Sequence, residues 1–239
     1  MANCLDRAAC SLRLLDRFEF IAACCEPRLG FAGQRLLALL ALRQQGLDRR
    51  LVVRELYPEI PPQRAARSLR TTLWRIQRCC PAMVKVTPAE IRLAPEVTID
   101  LHAAVHTAEL LLDQSVRMST SELGAAIHAR LTVDLLPDWP DDWLVLERER
   151  FRMLRLDALE ALCGRLTAIG WYGAAIDAGL AALAADPLRE SAHCMLIKAH
   201  LAEGNICEAR RQAQQCQQLM RGELGLDPSL DLLALLRGA

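Results

Sequence analysis

Long apolar runs are missing from this 239-residue chain. The longest, Leu36 to Leu42, is stopped by Arg35 and Arg43, far short of the roughly 20 residues a membrane helix needs. Near the N-terminus Asp6, Arg7, Arg13, Asp16 and Arg17 break every stretch that could act as the core of a secretory signal. A cytoplasmic chain without membrane association is therefore expected. Cys-x-x-Cys is absent despite ten cysteines, which removes the commonest zinc and redox spacings. In a reducing cytoplasm these cysteines are expected as thiols, acting mostly as small buried hydrophobes. Cys79 and Cys80 fall near a predicted helix C-terminus, where the dipole disfavours a reactive thiolate. No Gly-x-x-x-x-Gly-Lys loop is present to cradle a phosphate chain, and with the sequence ending just after its last helix neither an ATPase nor a sensor module is expected to follow.

One further absence is local. No Asp or Glu occurs between Ile60 and Ala89. The chain as a whole is neutral, with 29 basic and 29 acidic residues, but residues 33–85 carry 11 basic and 3 acidic groups. Residues 101–239 carry 13 basic and 19 acidic ones. A basic block ahead of an acidic remainder points to an anionic partner for one part only.

Residues 11–32 read as strands, with Leu12, Leu14, Phe18, Phe20 and Ala22 in period-two stretches and Pro27 and Gly30 at turns. A helix follows over 34–45 with Gly46 as its stop, then a short helix over 50–57 ended by Pro58. A longer third helix spans Pro62 to Cys79 and is closed by Pro81. Met83–Val86 and Glu90–Leu93 form a hairpin across Thr87-Pro88-Ala89. This order is that of a winged helix-turn-helix, whose third helix enters the DNA major groove and whose hairpin is the wing.

Stepped at about 100° per residue, the third helix gathers Ala66, Leu69, Leu73 and Ile76 on its core side. Arg64, Arg67, Ser68, Thr71, Arg75 and Arg78 fall opposite, with Arg70 and Trp74 on the flank. Guanidinium groups fork onto phosphate or onto guanine O6 and N7, and hydroxyls serve either role. These six residues are the candidate DNA-reading set, and Lys85 and Arg92 of the wing are candidates for a backbone phosphate.

The second half is helical and repeats. Two helices are expected in 101–135, then a turn-rich stretch with Trp139 and Trp143 as packing anchors, then a long charged helix. Leu162, Gly170, Ala175 and Ala182 are followed 34 residues later by Leu196, Gly204, Ala209 and Cys216. A helix-turn-helix of that period, with Gly at the turn and small residues at the crossing, is a tetratricopeptide signature. Tyr172, Ile176, Leu180 and Leu183 are expected in its core. Such repeats stack into protein-binding surfaces and carry no chemistry of their own. An enzyme reading would need His102 and His106 beside Asp100 and Glu109, or His193, Cys194, His200 and Cys207, to hold a metal. A helical histidine pair lacks the remaining ligands, so no metal, cofactor or catalytic residue is expected.

The stretches Arg35-Leu-Leu-Ala-Leu-Leu-Ala-Leu, Leu51-Val-Val-Arg-Glu-Leu-Tyr-Pro and Ala65-Ala-Arg-Ser-Leu-Arg-Thr-Thr-Leu-Trp-Arg-Ile-Gln-Arg together resemble the OmpR-type winged helix of SARP antibiotic-pathway regulators. Ile91-Arg-Leu-Ala-Pro-Glu-Val-Thr-Ile-Asp-Leu resembles their wing strand and crossing. Leu135-Leu-Pro-Asp with Asp142-Trp143, Ala185-Asp-Pro-Leu-Arg-Glu and Glu223-Leu-Gly-Leu-Asp-Pro-Ser resemble their bacterial transcriptional activator domain. The resemblance implies a mainly α protein: a winged-helix DNA-binding domain over residues 1–100, then an all-α, TPR-like activator domain over 101–239. It implies a non-enzymatic transcriptional activator that binds repeats in double-stranded promoter DNA as a homodimer and engages RNA polymerase. The alternative is a TPR-type interaction adaptor with a degenerate winged helix. Three positions depart from the family pattern: Tyr57-Pro58 stands for Trp-Pro, Ser68 for Asn, and Glu90-Ile91 for Gly-Tyr. Glu90 is expected to alter the hairpin and repel phosphate.

Overall fold

The computed structural model describes residues 10–21, 29–43, 45–229 and 232. Ala22, Pro27 and the cysteines at positions 4, 24 and 25 lie outside them. The chain divides into two compact units, Met1–His102 with Leu135–Glu147, and Ala103–Asp134 with Arg148–Ala239. Against the division expected at residue 100, the first unit runs two residues further, to His102, and the segment Leu135–Glu147 belongs with it. It is fixed there by long-range backbone pairing, a bridge between Leu15 and Leu135 and a 3.0 Å hydrogen bond from Leu136 N to Leu14 O, which no local pattern announces.

In the first unit β1 (Ser11–Arg13) and β2 (Glu19–Ile21) form an antiparallel hairpin with Leu12 opposite Phe20. Helix α1 (Phe31–Arg43) starts three residues before the expected position. A two-residue strand β3 (Leu47–Asp48) leads into α2 (Arg49–Leu56), whose first turn is capped by Asp48. Helix α3 (Pro62–Cys79) has the bounds expected of it, with Pro at its first position, where no N–H is needed. Strands β4 (Val84–Val86) and β5 (Glu90–Leu93) pair antiparallel, and β3 adds to the other edge of β5. A second short strand, β6 (Thr98–Ile99), runs parallel to β1 and completes a sheet of order β2-β1-β6. Leu36 through Ala41 of α1 are all buried, and α1 contacts α2, α3 and β5. Full burial of each leucine is worth about 1.5–3 kcal/mol, so α1 is the pillar on which the other two helices rest.

The returning segment is clamped by aromatic and ionic contacts. Trp139 stacks on Phe18 and meets Phe31 edge-on, with ring centroids 5.7 and 5.2 Å apart. Asp141 Oδ1 accepts hydrogen bonds from Arg35 Nε at 2.6 Å and Trp143 Nε1 at 3.0 Å, and Arg35 Nη1 donates to Leu56 O. The Asp141 side chain is 4% exposed and that of Arg35 21%. Breaking a fully buried pair costs about 3–5 kcal/mol; with Arg35 still reached by water, Asp141→Ala is expected to cost about 2–3 kcal/mol in urea unfolding. A cost under 0.5 kcal/mol would show the clamp to be superficial.

The second unit contains most of α4 (Asp100–Leu112), then α5 (Thr120–Ile127), most of α6 (Asp142–Ala168), α7 (Tyr172–Ala185), α8 (Glu190–Glu203) and α9 (Ile206–Leu224). Ser119 and Glu122 form a reciprocal capping box on α5. Arg165 donates to the carbonyls of Leu111, Asp113 and Val116, satisfying the Leu111 acceptor left open at the end of α4 and holding the turn that follows it. The repeat is present in detail. Gly170 and Gly204 both adopt left-handed backbone, φ +80° and +87°, where a side chain would be strained. Leu162, Ala175 and Ala182 are buried, as are Leu196, Ala209 and Cys216.

The expected apolar face of α7 needs correction. Its buried residues are Ala175, Ala178, Gly179 and Ala182, whereas Leu180 is 50% exposed and Tyr172, Ile176 and Leu183 are only half-buried. Close helix crossing selects small residues and turns the large ones outward. Cysteine also proves more varied than expected. Cys163 and Cys216 are buried, but Cys79 and Cys207 are exposed. Burial pushes the Cys163 and Cys216 thiols up to about 11, so at neutral pH each is protonated and poorly nucleophilic. Iodoacetamide in native buffer is expected to label Cys207 and to spare these two until the protein is denatured, as peptide mass spectrometry would show.

Candidate nucleic-acid interface

Helix α3 is positioned by Ala65, Leu69, Thr72, Leu73 and Ile76, all buried. Ala66, expected among them, is exposed and Ala65 takes its place. Alanine gives little hydrophobic contrast, so the pattern alone did not separate the two. Tyr57 Oη lies 3.3 Å from Thr72 Oγ1 and satisfies the buried hydroxyl.

Of the eight expected contact residues, Arg64, Arg67, Thr71, Arg75 and Arg78 are exposed on α3, and Ser68 is half-buried at its flank. Thr71 Oγ1 donates to Arg67 O at 3.1 Å and retains its lone pairs for a donor outside the helix. The Arg78 guanidinium sits 5.2 Å from the ring centre of Trp74. That tryptophan is 56% exposed, a large apolar surface at the edge of the arginine face.

The electrostatics of this face are one-sided. Arg64, Arg67, Arg70, Arg75 and Arg78 make no ion pair among the described residues. Arg64 and Arg67, Arg67 and Arg70, and Arg75 and Arg78 are spaced i,i+3, where like charges cost about 0.2–0.5 kcal/mol per pair. No acidic residue stands in the first turn to complement the dipole. An isolated helix gains nothing from this arrangement, but an anionic partner lying along it would relieve every one of these repulsions.

The wing is tightly turned. Thr87 N donates to Glu90 O at 2.9 Å and Glu90 N to Thr87 Oγ1 at 3.0 Å. Lys85 and Arg92 stand directly opposite each other on β4 and β5 and are both exposed. Each is loosely held by a carboxylate, Lys85 Nζ 3.9 Å from Glu96 and Arg92 Nε 3.8 Å from Glu90. Glu90 is half-buried against Gly46, where a methyl group would meet its carboxylate. A phosphate at the wing must therefore compete with Glu90 and Glu96. On α3 it has no such rival.

Helix α2 adds cations that lie off the third helix. Arg49 Nε donates to Thr87 O, joining α2 to the wing turn. Arg50 and Arg54 are exposed beside it. The excess charge of residues 33–85 contained these groups; the helical projection of α3 could not.

Two of the five histidines, His102 and His193, serve the fold. His102 Nε2 bonds to Ala41 O at 2.8 Å. His193 is buried between Pro187 O and Gln212 Nε2, at 3.0 and 2.7 Å. Its Nδ1 accepts from the amide, which leaves Nε2–H to donate to the carbonyl.

A model of the bacterial transcriptional activator domain matches residues 100–238. No curated protein matches the chain. Among solved structures, Mycobacterium tuberculosis EmbR in complex with a low-affinity phosphopeptide is similar in fold, with a TM-score of 0.74 at 20% sequence identity. The similarity covers 96% of this chain and 64% of that one.

Proposed function

This chain belongs to the bacterial transcriptional activator domain family, and on that footing we propose that it is a sequence-specific DNA-binding transcriptional activator of the SARP type. Helix α3 reads the major groove of double-stranded promoter DNA with Arg64, Arg67, Ser68, Thr71, Arg75 and Arg78. The observation that carries this reading is the row of arginines on its exposed face with no counter-charge among the described residues. Lys85 and Arg92 add phosphate contacts from the wing, weakened by their carboxylate neighbours. The repeat unit contacts a second subunit or RNA polymerase, and the active species is a homodimer on repeated half-sites in the bacterial cytoplasm, associated with the nucleoid when bound.

Two features divide the labour between the halves. Residues 101–239 are acidic and are repelled by DNA, whereas residues 33–85 hold a net excess of eight positive charges. Arginine contacts to phosphate set affinity and register, and contacts to base edges set specificity. The test is selection of genomic fragments by the purified chain, followed by fluorescence anisotropy of the selected fragments across a salt series. Enriched fragments sharing a repeated motif would give the operator and its half-site spacing together. Enrichment without a motif, with binding that collapses in salt, would reduce α3 to a nonspecific basic patch.

A further inference from the structure

Two thiols far apart in sequence meet inside the first unit. Cys10 Sγ and Cys80 Sγ are 3.3 Å apart, and the residues are 6% and 7% exposed. Cys10 directly precedes β1, and Cys80 caps the C-terminal end of α3. Both backbones are pinned. Cys10 O accepts from Thr98 N, Cys80 N donates to Ile76 O, and Cys80 O accepts from Met83 N. A disulfide needs the sulfurs at about 2.05 Å, so closure from the 3.3 Å contact asks for roughly 1.3 Å of approach.

We propose that Cys10 and Cys80 are a redox modification site, converted by a hydroperoxide into a disulfide that fastens the end of α3 to the first sheet. The chemistry balances. One thiolate attacks a peroxide oxygen, giving a sulfenic acid and releasing water or an alcohol. The second thiol attacks the sulfenic sulfur, forms the S–S bond and releases water. Two electrons leave the sulfurs and the peroxide takes them up. Both residues are buried, so peroxide reaches the sulfurs slowly. Cytoplasmic disulfides of this kind are reversible sensors rather than permanent staples. The bond closes a loop between residues 70 apart, and loops of that length give a large stabilisation of the closed fold. The proposal does not depend on the DNA reading.

The experiment uses the full chain treated with hydrogen peroxide, then blocked with an alkylating agent in denaturant and digested with trypsin without reduction. The expected product joins the peptides Ala8–Arg13 and Cys79–Lys85 with loss of two hydrogens. It also forms in Cys79→Ser, which retains the buried pair. The thermal midpoint of the oxidised protein rises by about 10 °C, and dithiothreitol reverses the rise. Cys10→Ser and Cys80→Ser show no such rise. Recovery of Cys10 and Cys80 fully alkylated, or a crosslink that disappears in Cys79→Ser, overturns the proposal, and both readings come from proteins with the buried pair intact.

Discussion

Replacing Arg67 and Arg75 together with alanine is expected to cost about 2–6 kcal/mol of specific DNA affinity, twice the roughly 1–3 kcal/mol of one base-reading arginine. The two positions lie eight residues apart, about 12 Å along the helix axis, and share no partner, so their effects should add. The loss should not come from misfolding. Both side chains are exposed and unpaired among the described residues, and exposed substitutions of that kind move stability by about 0.5 kcal/mol or less. The anisotropy salt series separates the two ways an arginine can act. A base reader relaxes specificity at one operator position. A phosphate holder weakens all sequences alike and lowers the salt slope by about 1 per residue. Unchanged binding in the double variant would remove α3 from the interface and leave the exposed arginines of α2 as the nearest substitute.

How much of this was legible depends on whether the determining interaction is local. Prolines at both ends bounded α3, and its charge and apolar residues separate cleanly on a projection, so its limits and exposed face could be read in advance. Ala65 and Ala66 could not be told apart because a methyl group weakly marks burial. Strands β3 and β6 have two residues each, too few for any periodicity, and exist because β5 and β1 offer them an edge. The return of Leu135–Glu147 to the first unit is a tertiary event between partners more than a hundred residues apart, Arg35 with Asp141 and Leu15 with Leu135. The histidines show the same limit from the other side. By the 34-residue period, His193 and Gln212 stand where Leu159 and Ala178 stand in the preceding repeat. An apolar pair has been exchanged for a hydrogen-bonded one, with both ring nitrogens of His193 partnered, and sequence alone could not distinguish that from a ligand set.

The same repeat logic sets the largest stability effect expected of a single change. Leu196 is fully buried at the crossing of α7 and α8, and a methyl group built on Gly179 would lie 3.2 Å from its Cδ1 and 3.4 Å from its Cβ. The neighbour it touches there is a glycine, which has no side chain to swing into a vacancy. Leu196→Ala should therefore sit high in the range of about 2–5 kcal/mol seen for buried leucine deletions, because the cavity cannot collapse. The pairing also makes a prediction of sign. Gly179→Ala alone sets a gain of about 1 kcal/mol in helix propensity against a tight contact, and the two nearly cancel. In the Leu196→Ala background the tighter contact, with Cδ1, is gone, the 3.4 Å approach to Cβ remains, and the methyl group fills part of the space. Gly179→Ala should then restore about 1 kcal/mol or more. A urea double-mutant cycle measures both. If the second substitution gives no recovery, the two helices are not held as closely as this crossing requires, and the small residues of α7 would need another explanation.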